Sequence, residues 1–98
     1  MASVGVKNDS EKIRWNHLPW AQVEQVAKIT DFGAKKYSED NNWQRVPDAR
    51  NRYFNATIRH IAAWWKGEVN DPETGFNHLG HAVCCLLFLM WFDDKENK

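Results

Sequence analysis

The chain is short of cysteine, proline and glycine, carries no excess charge of either sign, and lacks any apolar run long enough to cross a membrane. Its two cysteines, Cys84 and Cys85, are adjacent. Neighbours on a helix project about 100° apart, which excludes a disulfide between them in a regular helix. No CxxC pair exists to build a zinc ribbon. Set in an apolar run, the thiols read as small buried hydrophobes and not as nucleophiles. Thirteen basic and thirteen acidic residues cancel. Proteins that grip nucleic acid gain affinity by neutralising phosphates and show a basic excess. No long nucleic acid is therefore expected as a partner, whereas a small phosphate ligand in a local basic pocket remains compatible. The longest apolar stretch, Ala82 to Phe92, falls well short of the ~20 residues a bilayer requires. Met1 to Glu11 is polar, without the apolar core of a signal peptide. A cytoplasmic protein with no membrane partner is expected. Walker loop, GxGxxG, GxSxG and HExxH sequences are absent, which removes the enzyme classes that depend on them.

Aromatics are abundant: six Trp and five Phe in 98 residues. A domain of this size buries a smaller share of its surface than a large one. Exposed apolar patches usually mark contacts, so a homo-oligomer is expected. Residues 1–12 show no apolar periodicity and read as a flexible tail; 13–92 read as one all-α domain, and 93–98 as a charged C-terminal tail. Pro19 suits the first position of a helix. Beyond it Val23, Val26, Ala27, Thr30 and Ala34 recur with helical period as far as about Tyr37. Ser38 to Pro47 has the composition of turns. Asp48 is placed to cap a second helix over Ala49 to Lys66, and Gly67 stops it. On that helix Phe54, Ile58, Ile61 and Trp65 form the predicted core stripe, beside a mixed stripe of Tyr53, Thr57, His60 and Trp64. The last helix is predicted from near Thr74 to about Phe92. Its second half is apolar all round and asks for burial on every side. The fold class is all-α: a small helical bundle of three main helices, the last buried in an oligomer.

Three of the four histidines, His60, His78 and His81, flank the second loop. His78 and His81 are three apart and share a helix face. A short loop makes the second and third helices antiparallel neighbours, which brings the imidazoles towards Glu68, Asp71 and Glu73. Imidazole suits Zn, Fe, Ni and Mn, and carboxylate-only sites suit Mg and Mn. A second, basic and aromatic surface comprises Lys35, Lys36, Tyr37, Trp43, Arg50, Arg52 and Arg59. Arginine forks match phosphate oxygens, and Tyr37, Trp43 or Trp64 can stack on a nucleobase.

Taken in order, Asp31-Phe-Gly-Ala-Lys-Lys-Tyr37, Asn42-Trp43, Arg59-His60, Gly67-Glu68, Asp71-Pro-Glu-Thr-Gly75 and His78-Leu-Gly-His-Ala82 are familiar. The string resembles the phage dATP/dGTP diphosphohydrolase N-terminal domain family over about Leu18 to Phe92. The resemblance implies a bacteriophage protein of the host cytoplasm that hydrolyses dGTP or dATP to monophosphate and pyrophosphate. It also implies kinship with the MazG-type all-α pyrophosphohydrolases, which hold Mg²⁺ or Mn²⁺ on helical E-x-x-E and E-x-x-D pairs. Here neither main helix carries E-x-x-E. Glu68-Val-Asn-Asp71 matches E-x-x-D only in a loop, and His78-Leu-Gly-His81 stands where carboxylates would be expected. In that reading Glu68, Asp71, His78 and His81 hold Mg²⁺ or Mn²⁺, and His60 or Glu73 is the general base. Lys35 and Arg59 clamp phosphates, and Tyr37 or Trp43, with Trp64 as a further candidate, holds the purine. The alternative is a non-catalytic oligomer that sequesters a nucleotide, such as an immune signal; a purely structural interaction module is a third reading.

Overall fold

The computed structural model describes residues 3–96; the outermost positions of the two expected tails, 1–2 and 97–98, lie outside the described residues. Three α-helices carry the fold: α1 (Trp20–Lys36), α2 (Ala49–Trp65) and α3 (His78–Glu96). Short 3₁₀ turns at Trp15–His17 and Asn42–Arg45 precede α1 and α2. None of the described helices is long and apolar enough to cross a membrane.

Local chemistry sets the helix ends. Pro19 sits one position before α1, its carbonyl accepting from the amides of Gln22 and Val23. At the other end Ser38 is left-handed (φ 54°), and the amides of Ser38 and Glu39 close on the carbonyls of Lys35 and Ala34. That is a Schellman stop built on serine. Asp48 precedes α2 as expected, but its carboxylate accepts from the Asn51 side chain at 3.0 Å and not from a backbone amide. Gly67 ends α2 with φ 105°, its amide and that of Glu68 bonding to Trp64 and Ala63. A side chain at that φ would be strained, which is why glycine stands there.

The last helix starts at His78, four residues later than its composition suggests, and runs on to Glu96. The intervening residues make a small hairpin. The His78 amide bonds to the Val69 carbonyl, the Asp71 amide to Phe76, and Asn70 bridges Asn77. The Asp71 carboxylate then gathers the amides of Glu73 and Thr74, an Asx turn that competes with helix formation. Asn77 takes over as cap, accepting from the Leu79 amide at 2.7 Å.

α3 packs along both other helices. Towards α1 it presents Gly80, where an added Cβ would lie 2.7 Å from Ile29, and Cys84, whose thiol donates to the Val26 carbonyl. Towards α2 it presents His78, His81 and Phe88, the last edge-on to Tyr53. Trp43 stacks on Phe88 at 4.3 Å and meets Trp91 edge-on, fixing the 3₁₀ turn to α3.

This arrangement reverses the expected faces of α2. The mixed stripe, apart from the exposed Trp64, turns inward: Thr57 is 5% exposed, its hydroxyl satisfied by the Tyr53 carbonyl. The stripe predicted as core turns outward, with Phe54 56% and Trp65 81% exposed and Ile58 and Ile61 also open. A single chain supplies one covering helix, and α3 takes the face whose small Thr57 admits close approach. On α3 itself Leu86, Leu87 and Met90 remain exposed within the single chain. The radius of gyration, 17.9 Å, exceeds the ~13 Å of a compact chain of this length. The molecule is correspondingly open, with a wide cleft along α1 and α2.

Candidate functional site

Each chemical side chain is delivered by one of the features above. His60 projects from the last third of α2 and His78 is the first residue of α3. The Gly67 stop turns Glu68 back towards α3, and the Asx turn locks one oxygen of Asp71. The two imidazoles meet through Nδ1 atoms 2.8 Å apart. Two ring nitrogens at that distance share a single proton, since one must donate and the other accept. The opposite nitrogen of His78, Nε2, lies 2.7 Å from Glu68 Oε1. Asp71 Oδ2 is 3.8 Å from His60 Nδ1. His81 stacks on His60, with ring centroids 4.6 Å apart and planes 8° from parallel, and its Nε2 lies 2.7 Å from the Thr74 hydroxyl.

Burial pushes His60 below the usual histidine range, and the neighbouring His81 and His78 add to that. Burial likewise lowers His81. For Asp71 burial acts upward, but the amides of Glu73 and Thr74 and the adjacent imidazoles outweigh it and hold the carboxyl below its ordinary value. A neutral His60 beside an ionised Asp71 is the protonation state a metal ion requires of such ligands. One donor atom from each of His60, Asp71 and His78 lies within 4.8 Å of the others. A mixed nitrogen and oxygen donor set of this kind fits a divalent ion.

Beside this group opens a cleft of about 1070 Å³. Its lining includes His60, Asp71 and His81, the basic Lys36, Arg45, Arg52 and Arg59, and the acidic Asp31, Glu39, Asp40 and Glu73. Lys36 is paired with Glu73 at 2.7 Å and Arg45 with Glu39. Arg52 and Arg59 form no ion pair among the described residues.

Of the residues singled out from sequence, the structure brings His60, Asp71 and His78 together. Glu68 stands behind His78, His81 lies on the other side of His60, and Glu73 turns to Lys36. Tyr37, Trp43 and Arg59 line the cleft, whereas Lys35 and Trp64 do not. Sequence reasoning gave Asn55 and Thr74 no role. Arg52, Asn55 and Arg59 lie at i, i+3 and i+7, the spacing of one helix face, and that signal was readable. The Asp71-x-x-Thr74 pattern of the Asx turn was readable too.

The chain matches, over residues 2–98, the family model described as dATP/dGTP diphosphohydrolase, N-terminal. It is 32% identical over 87 residues to a dATP/dGTP diphosphohydrolase of Salmonella phage PMBT28. That alignment takes in 89% of this chain and 29% of the phage protein, so the chain spans less than a third of that relative's length. No solved structure matches.

Proposed function

The chain belongs to the dATP/dGTP diphosphohydrolase N-terminal family, and we propose that it is a nucleotide pyrophosphohydrolase acting on dGTP or dATP with a divalent cation, Mg²⁺ or Mn²⁺ in the first instance. The observation that carries this reading is one cleft whose lining holds both Arg52 and Arg59, free of ion pairs among the described residues, and His60 and Asp71, two members of the group that could hold a metal ion. In the reaction water adds to the α-phosphorus, the bond to the α,β-bridging oxygen breaks, and pyrophosphate leaves with that electron pair. The cation, when bound, supplies charge neutralisation for the triphosphate and makes water a better nucleophile at neutral pH.

This chain's own residues supply the rest. Arg52 and Arg59 offer planar forks to phosphate oxygens, and Lys36 at the rim adds a mobile positive charge. Tyr37 is exposed, with the Lys36 ammonium 5.5 Å from its ring centroid, and is the ring to lay against the purine, whereas one face of Trp43 is taken by Phe88. Of the two neutral imidazoles lining the cleft, His81 is outside the three-residue donor group. We assign it the role of proton acceptor; Glu73, which also lines the cleft, is held by Lys36. The balanced charge suits a mononucleotide better than a long nucleic acid. The open apolar faces of α2 and α3 support self-association as part of the same reading.

Incubation of the protein with dGTP and Mn²⁺ or Mg²⁺ is expected to yield dGMP and pyrophosphate in equal amounts. Absence of turnover with every nucleotide and ion tried would overturn the reading. Binding that survives EDTA, with nucleotide recovered intact, would mark a sequestering protein instead.

A further inference from the structure

The three-residue donor group has a chemistry that discriminates among ions. We propose that it is a site for a borderline divalent transition ion (Mn²⁺, Fe²⁺, Co²⁺, Ni²⁺ or Zn²⁺) in preference to Mg²⁺. The ligands are His60 Nδ1, His78 Nδ1 and Asp71 Oδ2, with Glu68 as the outer carboxylate that orients His78. The ion's role in catalysis rests on the hydrolase reading above; its binding does not.

Four observations converge. Two of the three donors are imidazole nitrogens, which suit first-row transition ions, whereas Mg²⁺ takes oxygen ligands and keeps much of its water. The two separations at His60 Nδ1, 2.8 Å to His78 and 3.8 Å to Asp71, lie on either side of the roughly 3.0–3.4 Å edge between donors around an ion with bonds of ~2.1 Å, and all three donors lie within 4.8 Å of one another. Glu68 holds His78 by Nε2 and so leaves Nδ1 pointing at His60, the arrangement in which a carboxylate behind a histidine fixes its orientation for metal binding. Finally, Asp71 Oδ1 is occupied by two backbone amides, which leaves Oδ2 directed at His60. Glu68, a candidate ligand on sequence grounds, thus becomes a positioning residue. The donors come from three elements: His60 from α2, Asp71 from the hairpin and His78 from α3.

Calorimetric titration without nucleotide, with Mn²⁺ electron paramagnetic resonance and Co²⁺ absorption as independent readouts, tests this. Zn²⁺, Co²⁺ and Mn²⁺ are expected to bind at least a hundredfold more tightly than Mg²⁺. Asp71→Asn and His78→Ala are expected to lose the site. Glu68→Gln, at a half-exposed carboxylate that leaves the fold intact, is expected to weaken binding ten- to a hundredfold. His17→Ala, in the turn before α1, serves as a control and should change nothing. Equal affinity for Mg²⁺ would overturn the proposal, as would transition-ion binding that survives loss of Asp71 or indifference to Glu68→Gln. Hydrolysis with Mg²⁺ and no transition-ion site would remove this proposal and leave the hydrolase reading standing. The expected binding without hydrolysis of any nucleotide would do the reverse.

Discussion

The two long faces of α2 differ in a way that hydrophobicity alone inverts. The inward face carries Tyr53, Thr57 and His60, two of them polar enough to need partners, and each of those has one: a carbonyl for Thr57, a second imidazole for His60. The outward face carries Phe54, Ile58, Ile61 and Trp65, all of which remain exposed in the single chain. Burying polar groups costs free energy unless they are hydrogen-bonded. On the function proposed above, the polar stripe turned inward serves chemistry and the apolar stripe turned outward serves association.

Four experiments test that division, beginning with the largest expected effect. Replacing His60 by Ala should lower dGTP hydrolysis by about a hundredfold or more while the far-ultraviolet dichroism stays that of a helical protein; retained turnover would strip the inward face of its chemistry. Ile58→Asp should reduce the molecular mass seen by light scattering to that of one chain, leaving helicity unchanged. A wild-type protein already of single-chain mass would break the comparison on its outward side. Gly80→Val probes the α1–α3 seam: its Cβ would lie 2.7 Å from the end of the Ile29 side chain with two further methyls to place, and overpacking of about 1–3 kcal/mol should lower Tm by roughly 4 °C or more. An unchanged Tm would show that seam to be loose.

The smallest effect is on pH. His60 and His81 have lowered pKa values in the folded chain. Above the ordinary histidine value both states are neutral and nothing changes. As pH falls from there towards the lowered folded values, the unfolded chain binds protons that the folded one declines, so stability is lost on acidification. Tm should therefore be lower at pH 5.5 than at 7.5, and His81→Gln should flatten the dependence. A Tm that rises on acidification would contradict the assigned burial of these rings. Asp71 acts in a separate window, since its contribution is lost only as pH falls below the carboxylate range.

Much of this was legible in the amino-acid string. Pro19, Asp48 and Gly67 mark helix boundaries to within a residue, and the crowd of histidines and acids around Gly67 to Gly75 locates the site. Three things were not. The start of α3 was hidden because the hairpin is set by non-periodic hydrogen bonds, Val69 to His78 and Asp71 to Phe76, which no apolar spacing records. The buried face of α2 was hidden because periodicity reports which stripe is apolar but not where the neighbouring helix lies. The cleft lysine is Lys36 and not Lys35, because one residue on a helix is about 100° of rotation. Glu68 illustrates a finer limit: its charge was readable, but its standing behind a histidine is a matter of distance.

Gly67 carries a consequence for how this sequence can drift. Its left-handed backbone both halts α2 and aims the next side chain at His78. A lineage that accumulates changes elsewhere in the connection can compensate locally, but at this position a substitution disturbs two tasks together. Insertions or deletions between Trp65 and Glu68 should be tolerated least of any in the loop, since each would swing the carboxylate away from its histidine even where the helix itself survived.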